Sequence, residues 1–122
     1  MNILFLDDSE ERIKTVKKHY PDTVCVKTAS ECIDLLSRYS FDVFFADHDL
    51  GDEVFVNSDR PDCGMEVIRW IDKNRPEIAQ IIVHTNNEPA GIRMVEMLGK
   101  AGYGVHRMPF GTFSFKNLIK GD

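Results

Sequence analysis

Four short polar groupings in this sequence could do chemistry: Asp7-Asp8, Asp47-His48-Asp49, His84-Thr85-Asn86-Asn87, and the single His106. Carboxylates offer hard oxygen ligands for a divalent cation, and imidazoles exchange protons near neutral pH. Hydroxyls and side-chain amides can hydrogen-bond phosphate or ribose oxygens. Each grouping stands at or just beyond the end of a short β-rich run. In doubly wound sheets the ligand site lies outside the carboxyl ends of the strands, so four strand ends would converge on one rim.

The elements that must hold these residues alternate between β-rich runs and helical periods, which predicts a parallel sheet covered by helices on both faces. Asn2 to Leu6 reads as the first strand, followed by a helix capped by Ser9, with Ile13, Val16 and Tyr20 inward and Pro21 as its stop. Thr23 to Lys27 is the second strand. Ser30 can cap a second helix that turns Ile33, Leu36 and Tyr39 inward, and Phe41 to Ala46 is the nearly all-apolar run of a central parallel strand. Residues 51–63 are polar and irregular, long for a βα loop, and are expected to form a mobile flap. A third helix runs from Gly64 to Asn74 with Met65, Ile68 and Ile71 on one face. Gln80 to Val83 is the fourth strand, Pro89 to Lys100 a helix with Ile92, Val95 and Leu98 inward, and Gly104 to Arg107 the fifth strand. Thr112 to Lys120 completes the pattern as a short helix.

At 122 residues the chain fits one domain, residues 1–122, with no linker. A hydrophobic share of 43% and a charged share of 29% are those of a soluble globular protein, and no apolar run reaches the roughly 18 residues of a membrane span. The N-terminus enters a strand at once without a secretion signal, which makes the cytoplasm the expected location. Cys25, Cys32 and Cys63 are odd in number and lack CxxC spacing, so they read as reduced packing residues. The net charge of −5 opposes bulk nucleic-acid binding, which needs Lys and Arg to neutralise phosphates.

Carboxylates crowded from two strands into a small site raise one another's pKa, and a cation relieves them. An all-oxygen ligand set favours Mg²⁺, with Mn²⁺ or Ca²⁺ as alternatives.

The run ILFLDDSEER, the apolar strand ending in Asp47, the strand ending near Thr85 and the MPF at Met108 to Phe110 together resemble a response-regulator receiver domain over nearly the whole chain. That resemblance implies a flavodoxin-like five-stranded sheet of order 2-1-3-4-5. It also implies Asp7 and Asp8 as the acidic metal pair, Asp47 as phosphoacceptor, Asp49 as the residue whose carbonyl completes the metal shell, and Thr85 as the hydroxyl that meets the phosphoryl group. Pro109 is similar to the proline that follows a cis peptide in this fold. Two departures stand out: Met108 occupies the place where receivers carry lysine, and His48, His84 and His106 sit at strand ends that ordinary receivers leave without histidine.

DHDLG at Asp47 to Gly51 with VHTNN at Val83 to Asn87 is similar to a smaller group, the cyclic-phosphate-processing receiver family, whose inferred targets include RNA 2′,3′-cyclic phosphate ends. Opening such a ring needs charge stabilisation, a base for water and an acid for the leaving alkoxide. A metal on Asp7, Asp8, Asp47 and Asp49 with His48 and His84 as proton carriers would meet those needs, and Thr85, Asn86, Asn87 and His106 would contact phosphate or substrate. The expected ligand is a phosphate-containing small molecule or an RNA end. Two other readings stand beside this cyclic phosphodiesterase: a stand-alone receiver phosphorylated on Asp47 by a partner histidine kinase, and a degenerate receiver that binds a partner protein.

Overall fold

The computed structural model describes residues 1–50 and 57–111. Their order is β1 (Ile3–Leu6), α1 (Glu10–His19), β2 (Val24–Val26), α2 (Ala29–Arg38), β3 (Phe41–Ala46), α3 (Gly64–Asn74), β4 (Ile78–Val83), α4 (Glu88–Lys100) and β5 (Val105–Arg107). The five strands are all parallel, in the order β2-β1-β3-β4-β5, which is the flavodoxin-like receiver arrangement. The final helix expected at 112–120 and the first part of the expected flap, 51–56, lie outside the described residues.

The alternation of side chains along the strands divides the core into two layers. Ile3, Phe5, Val43, Phe45 and Ile82 face α1, where Ile13 and Val16 meet them. Leu4, Leu6, Phe44, Ala46, Ile81 and Val83 face the helices of the other side, including Leu36, Ile68, Ile71, Met94 and Leu98. The central strands are therefore apolar on both faces, as a doubly covered sheet requires.

Helix starts follow local chemistry. The Ser9 hydroxyl accepts the Arg12 N–H at 3.3 Å and caps α1. At α2 the cap is Thr28 and not the expected Ser30: Thr28 Oγ1 accepts the Glu31 N–H at 3.1 Å and donates to Glu31 Oε1 at 2.9 Å, which fixes the start two residues earlier. Tyr39, expected inward, follows the last helical residue and is 58% exposed.

The buried face of α4 is also rotated from the expected one. Ala90, Gly91, Met94 and Leu98 are buried, while Ile92 is exposed. The small pair Ala90-Gly91 lets the first turn lie close to the sheet, where a Cβ on Gly91 would stand 3.1 Å from Thr85 Cγ2. Apolar residue type alone cannot signal so close an approach. No cis peptide occurs among the described residues, so the bond before Pro109 is trans, contrary to expectation.

Candidate functional site

The alternation that fills the two core layers continues past the strand ends and places the polar residues. Asp7 follows Ile3 and Phe5, Asp47 follows Val43 and Phe45, and His84 follows Ile82, all on the α1 face. One ligand atom from each of Asp7, Asp47 and His84 lies within 4.8 Å of the other two. His84 Nε2 is 2.9 Å from Asp7 Oδ2, and the Ser9 N–H donates to Asp7 Oδ1 at 2.9 Å. The imidazole is stacked on Phe5 and edged by Phe45 and Phe110. Its Nδ1 is buried with no hydrogen-bond partner among the described residues.

Electrostatics separate the two carboxylates. Burial opposes ionisation of Asp7, but the hydrogen bond and charge of His84, the Ser9 N–H and the Arg12 guanidinium prevail and hold its pKa below the ordinary value. Burial pushes Asp47 up to about 6, the charge of His84 pulling it back and that of Asp7 adding to the rise. Two buried carboxylates, one reluctant to ionise, beside an imidazole with an orphaned nitrogen form a donor set that fits a divalent cation.

Asp8, which the sequence reading put with the metal ligands, is half-buried and outside this three-residue group. Arg12 was missed: its Nη1 lies 3.3 Å from Asp7 Oδ2 and its guanidinium sits over the Phe110 ring. A cation thus approaches the pocket from α1, whereas Met108, in the place of the receiver lysine, packs against the apolar layer under α1. Arg107 turns towards α4, donating to the Thr85 carbonyl at 3.3 Å.

His48 continues Phe44 and Ala46 and so belongs to the opposite face. Its Nδ1 is 2.7 Å from Asp49 Oδ1 and its Nε2 is 3.0 Å from Ser58 Oγ. Burial works against its charge, but bonds to Cys63 and Asp49 prevail and raise its pKa. In return, burial raises the Cys63 thiol while His48 and the first N–H groups of α3 more than offset it, lowering its pKa. The two histidines expected to act as a pair are therefore both fully buried but have different hydrogen-bond partners on different faces of the sheet.

The rest of the expected contact set divides further. Thr85 Oγ1 accepts the Asn87 N–H at 3.1 Å. Asn87 caps α4 through Ala90 N and donates to Asp49 Oδ1 at 3.1 Å, tying α4 to the end of β3. Asn86 and His106 are exposed, the latter on the edge strand opposite Ile82.

Close packing fixes the end of β3. A Cβ on Gly64 would fall 2.7 Å from His48 Cα and closer still to the Asp47 carbonyl, while the Gly64 N–H donates to His48 O at 2.8 Å. Only glycine lets α3 begin this close to the peptide that carries both Asp47 and His48.

The sequence profile of the cyclic-phosphate processing receiver domain matches residues 2–100. The chain belongs to that family. Solved receivers share the fold at low identity. The signal receiver domain of a protein described as a Luxo repressor, from Vibrio parahaemolyticus, is 18% identical with a TM-score of 0.66, the match covering 90% of this chain and 78% of that one. A response regulator from Burkholderia pseudomallei, solved with a phosphorylated aspartic acid, calcium ion and citrate, is 20% identical with a TM-score of 0.61, over 91% of this chain and 61% of that one. One from Colwellia psychrerythraea is 16% identical with a TM-score of 0.58, over 88% and 81%. No functionally curated protein matches the chain in sequence. Among the described residues of this receiver, no helix is long and apolar enough to cross a membrane.

Proposed function

We propose that this receiver binds a cyclic phosphate at the Asp7–Asp47–His84 pocket and opens it with a divalent cation, RNA 2′,3′-cyclic ends being the expected substrate class. The observation that carries the reading is the convergence of two buried carboxylates and one imidazole within 4.8 Å. Asp7 and Asp47 would hold Mg²⁺ or Mn²⁺, and the imidazole in the set favours Mn²⁺. A bound cation supplies positive charge for the phosphoryl oxygens. The Burkholderia regulator, solved with a phosphorylated aspartic acid and a calcium ion, supports the reading that this fold can take a divalent cation.

The side chains divide the remaining work. Asp7, held ionised, is placed to accept the Nε2–H of His84, which in the neutral imidazole leaves the lone pair on Nδ1. Asp47, near its titration point before metal binds, would give up its proton as the cation binds. Arg12 adds a charge that Met108 cannot provide.

The test is turnover of a 2′,3′-cyclic nucleotide to a monoester with and without Mg²⁺ or Mn²⁺. Asp7→Asn and His84→Asn should each lower the rate by about a hundredfold, the scale of a lost acid or base. Wild-type rates in both variants would refute the site, and binding without turnover would make the domain a sensor.

A further inference from the structure

We propose a second, metal-independent site on the other face of the sheet, in which Ser58 is a nucleophile activated by His48 and Asp49 that takes the phosphoryl group of an anionic phosphodiester. This goes beyond the reading above, because its serine, its imidazole and its orienting carboxylate are none of Asp7, Asp47 and His84.

The geometry is a continuous chain of hydrogen bonds. Asp49 Oδ1 lies 2.7 Å from His48 Nδ1, and His48 Nε2 lies 3.0 Å from Ser58 Oγ. A carboxylate that accepts the Nδ1 proton leaves the Nε2 lone pair facing the hydroxyl, the relationship by which serine nucleophiles are activated on unrelated folds. Asn87 Nδ2 donates to the same Asp49 oxygen at 3.1 Å and so positions the carboxylate.

The serine is held as well as activated. Arg69 Nη1 donates to the Ser58 carbonyl at 2.6 Å and its Nη2 to the Arg60 carbonyl at 3.1 Å, while the Cys63 thiol donates to Arg60 O at 3.1 Å. These bonds fix the turn from α3, which gives the hydroxyl a rigid support. Ser58 itself is half-buried, and the exposed Arg93 donates Nη2–H to its Oγ at 2.9 Å. A guanidinium at the nucleophile selects an electrophile with non-bridging anionic oxygens.

In the reaction, Ser58 Oγ bonds to phosphorus and the ester P–O bond breaks. The serine proton passes to His48 Nε2 and from there to the departing oxygen. Water then attacks the phosphorylated serine by the reverse route, releasing a phosphomonoester and restoring the hydroxyl.

Bis(4-nitrophenyl) phosphate in EDTA is the probe, with release of 4-nitrophenolate and peptide mapping of the adduct as readouts. The expected result is an adduct on Ser58 that is absent in Ser58→Ala. Asp49→Asn should form it about a hundredfold more slowly, and Arg93→Ala should slow this diester more than a neutral fluorophosphonate. Far-ultraviolet circular dichroism should be unchanged in the Ser58 and Arg93 variants, whose side chains lie outside the core. Absence of an adduct on Ser58, adduct formation in Asp49→Asn at the wild-type rate, or equal slowing of both probes in Arg93→Ala overturns the proposal. Turnover of cyclic nucleotides with metal, measured on Ser58→Ala, reports separately on the Asp7–Asp47–His84 pocket.

Discussion

The His84 imidazole lies flat against the Phe5 ring, centroids 4.9 Å apart and planes 12° from parallel, and from there its Nε2 reaches Asp7 Oδ2 at 2.9 Å. Phe5 and Asp7 are two residues apart on one strand face, so a single alternation supplies both the ring that seats the imidazole and the carboxylate that orients it. Removing the acceptor strands a buried donor. Asp7→Ala should cost about 1–3 kcal/mol in urea unfolding, and Asp7→Asn, whose amide oxygen still accepts, should cost less. Equal losses would show that the hydrogen bond does not matter to stability.

Asp47 sets a pH dependence of defined sign. Burial raises its folded pKa from the ordinary 3.8 to about 6, so the folded state holds the proton more tightly. The resulting stabilisation is complete below the unfolded value and lost as pH rises through the folded one, on the order of 2–3 kcal/mol. In EDTA, Asp47→Asn should gain on wild type as pH rises from about 4 to 7. A stability difference independent of pH would contradict this assignment.

Metal binding should draw on the same carboxyl. A cation needs Asp47 ionised, so binding below its titration point releases a proton. Mn²⁺ should therefore raise Tm more at neutral than at acidic pH, and Asp7→Asn or Asp47→Asn should remove the shift. Equal shifts in wild type and Asp7→Asn would put the cation elsewhere.

Phosphorylation of Asp47 should be inefficient. Met108 lies in the apolar layer under α1 and offers no donor to phosphoryl oxygens. Acetyl phosphate should label Asp47 slowly and incompletely, as read by intact mass. Rapid stoichiometric labelling would favour the signalling reading.

Gly64→Ala tests the packing at the end of β3. The added methyl must displace the Asp47–His48 peptide or the start of α3, and overpacking of this kind costs about 1–3 kcal/mol. Thermal unfolding should show that loss, and both proposed sites should weaken together. A variant with wild-type Tm would mean that helix and strand separate more freely than the close approach implies.

The sheet and its rim were legible because strand periodicity carries both. Phe41 to Ala46 announced a central strand, and continuing the alternation through Ile3, Phe5 and Asp7 and through Val43, Phe45 and Asp47 puts two carboxylates on one face. The same rule, applied beyond β3 and β4, separates His48 from His84; pairing them by chemistry overlooked it. The rotation of α4 onto Ala90, Gly91 and Met94 was not legible, because it depends on how close the helix comes to Thr85 and Arg107. Nor were Ser58 and Arg93, which stand 10 residues from His48 and 35 from Ser58, respectively. No local period links such positions, and only the folded chain brings them together.

The bond from Gly64 N–H to His48 O also acts as a clasp. The chain departs after His48 and returns at Gly64, so the stretch between them begins and ends at one point of the framework. Lengthening it leaves both anchor points where they are, and the cost of closing a longer loop grows slowly, by about 0.6 kcal/mol for each doubling of length. This is a natural splice point: a change of length here leaves β3 and α3 in registration.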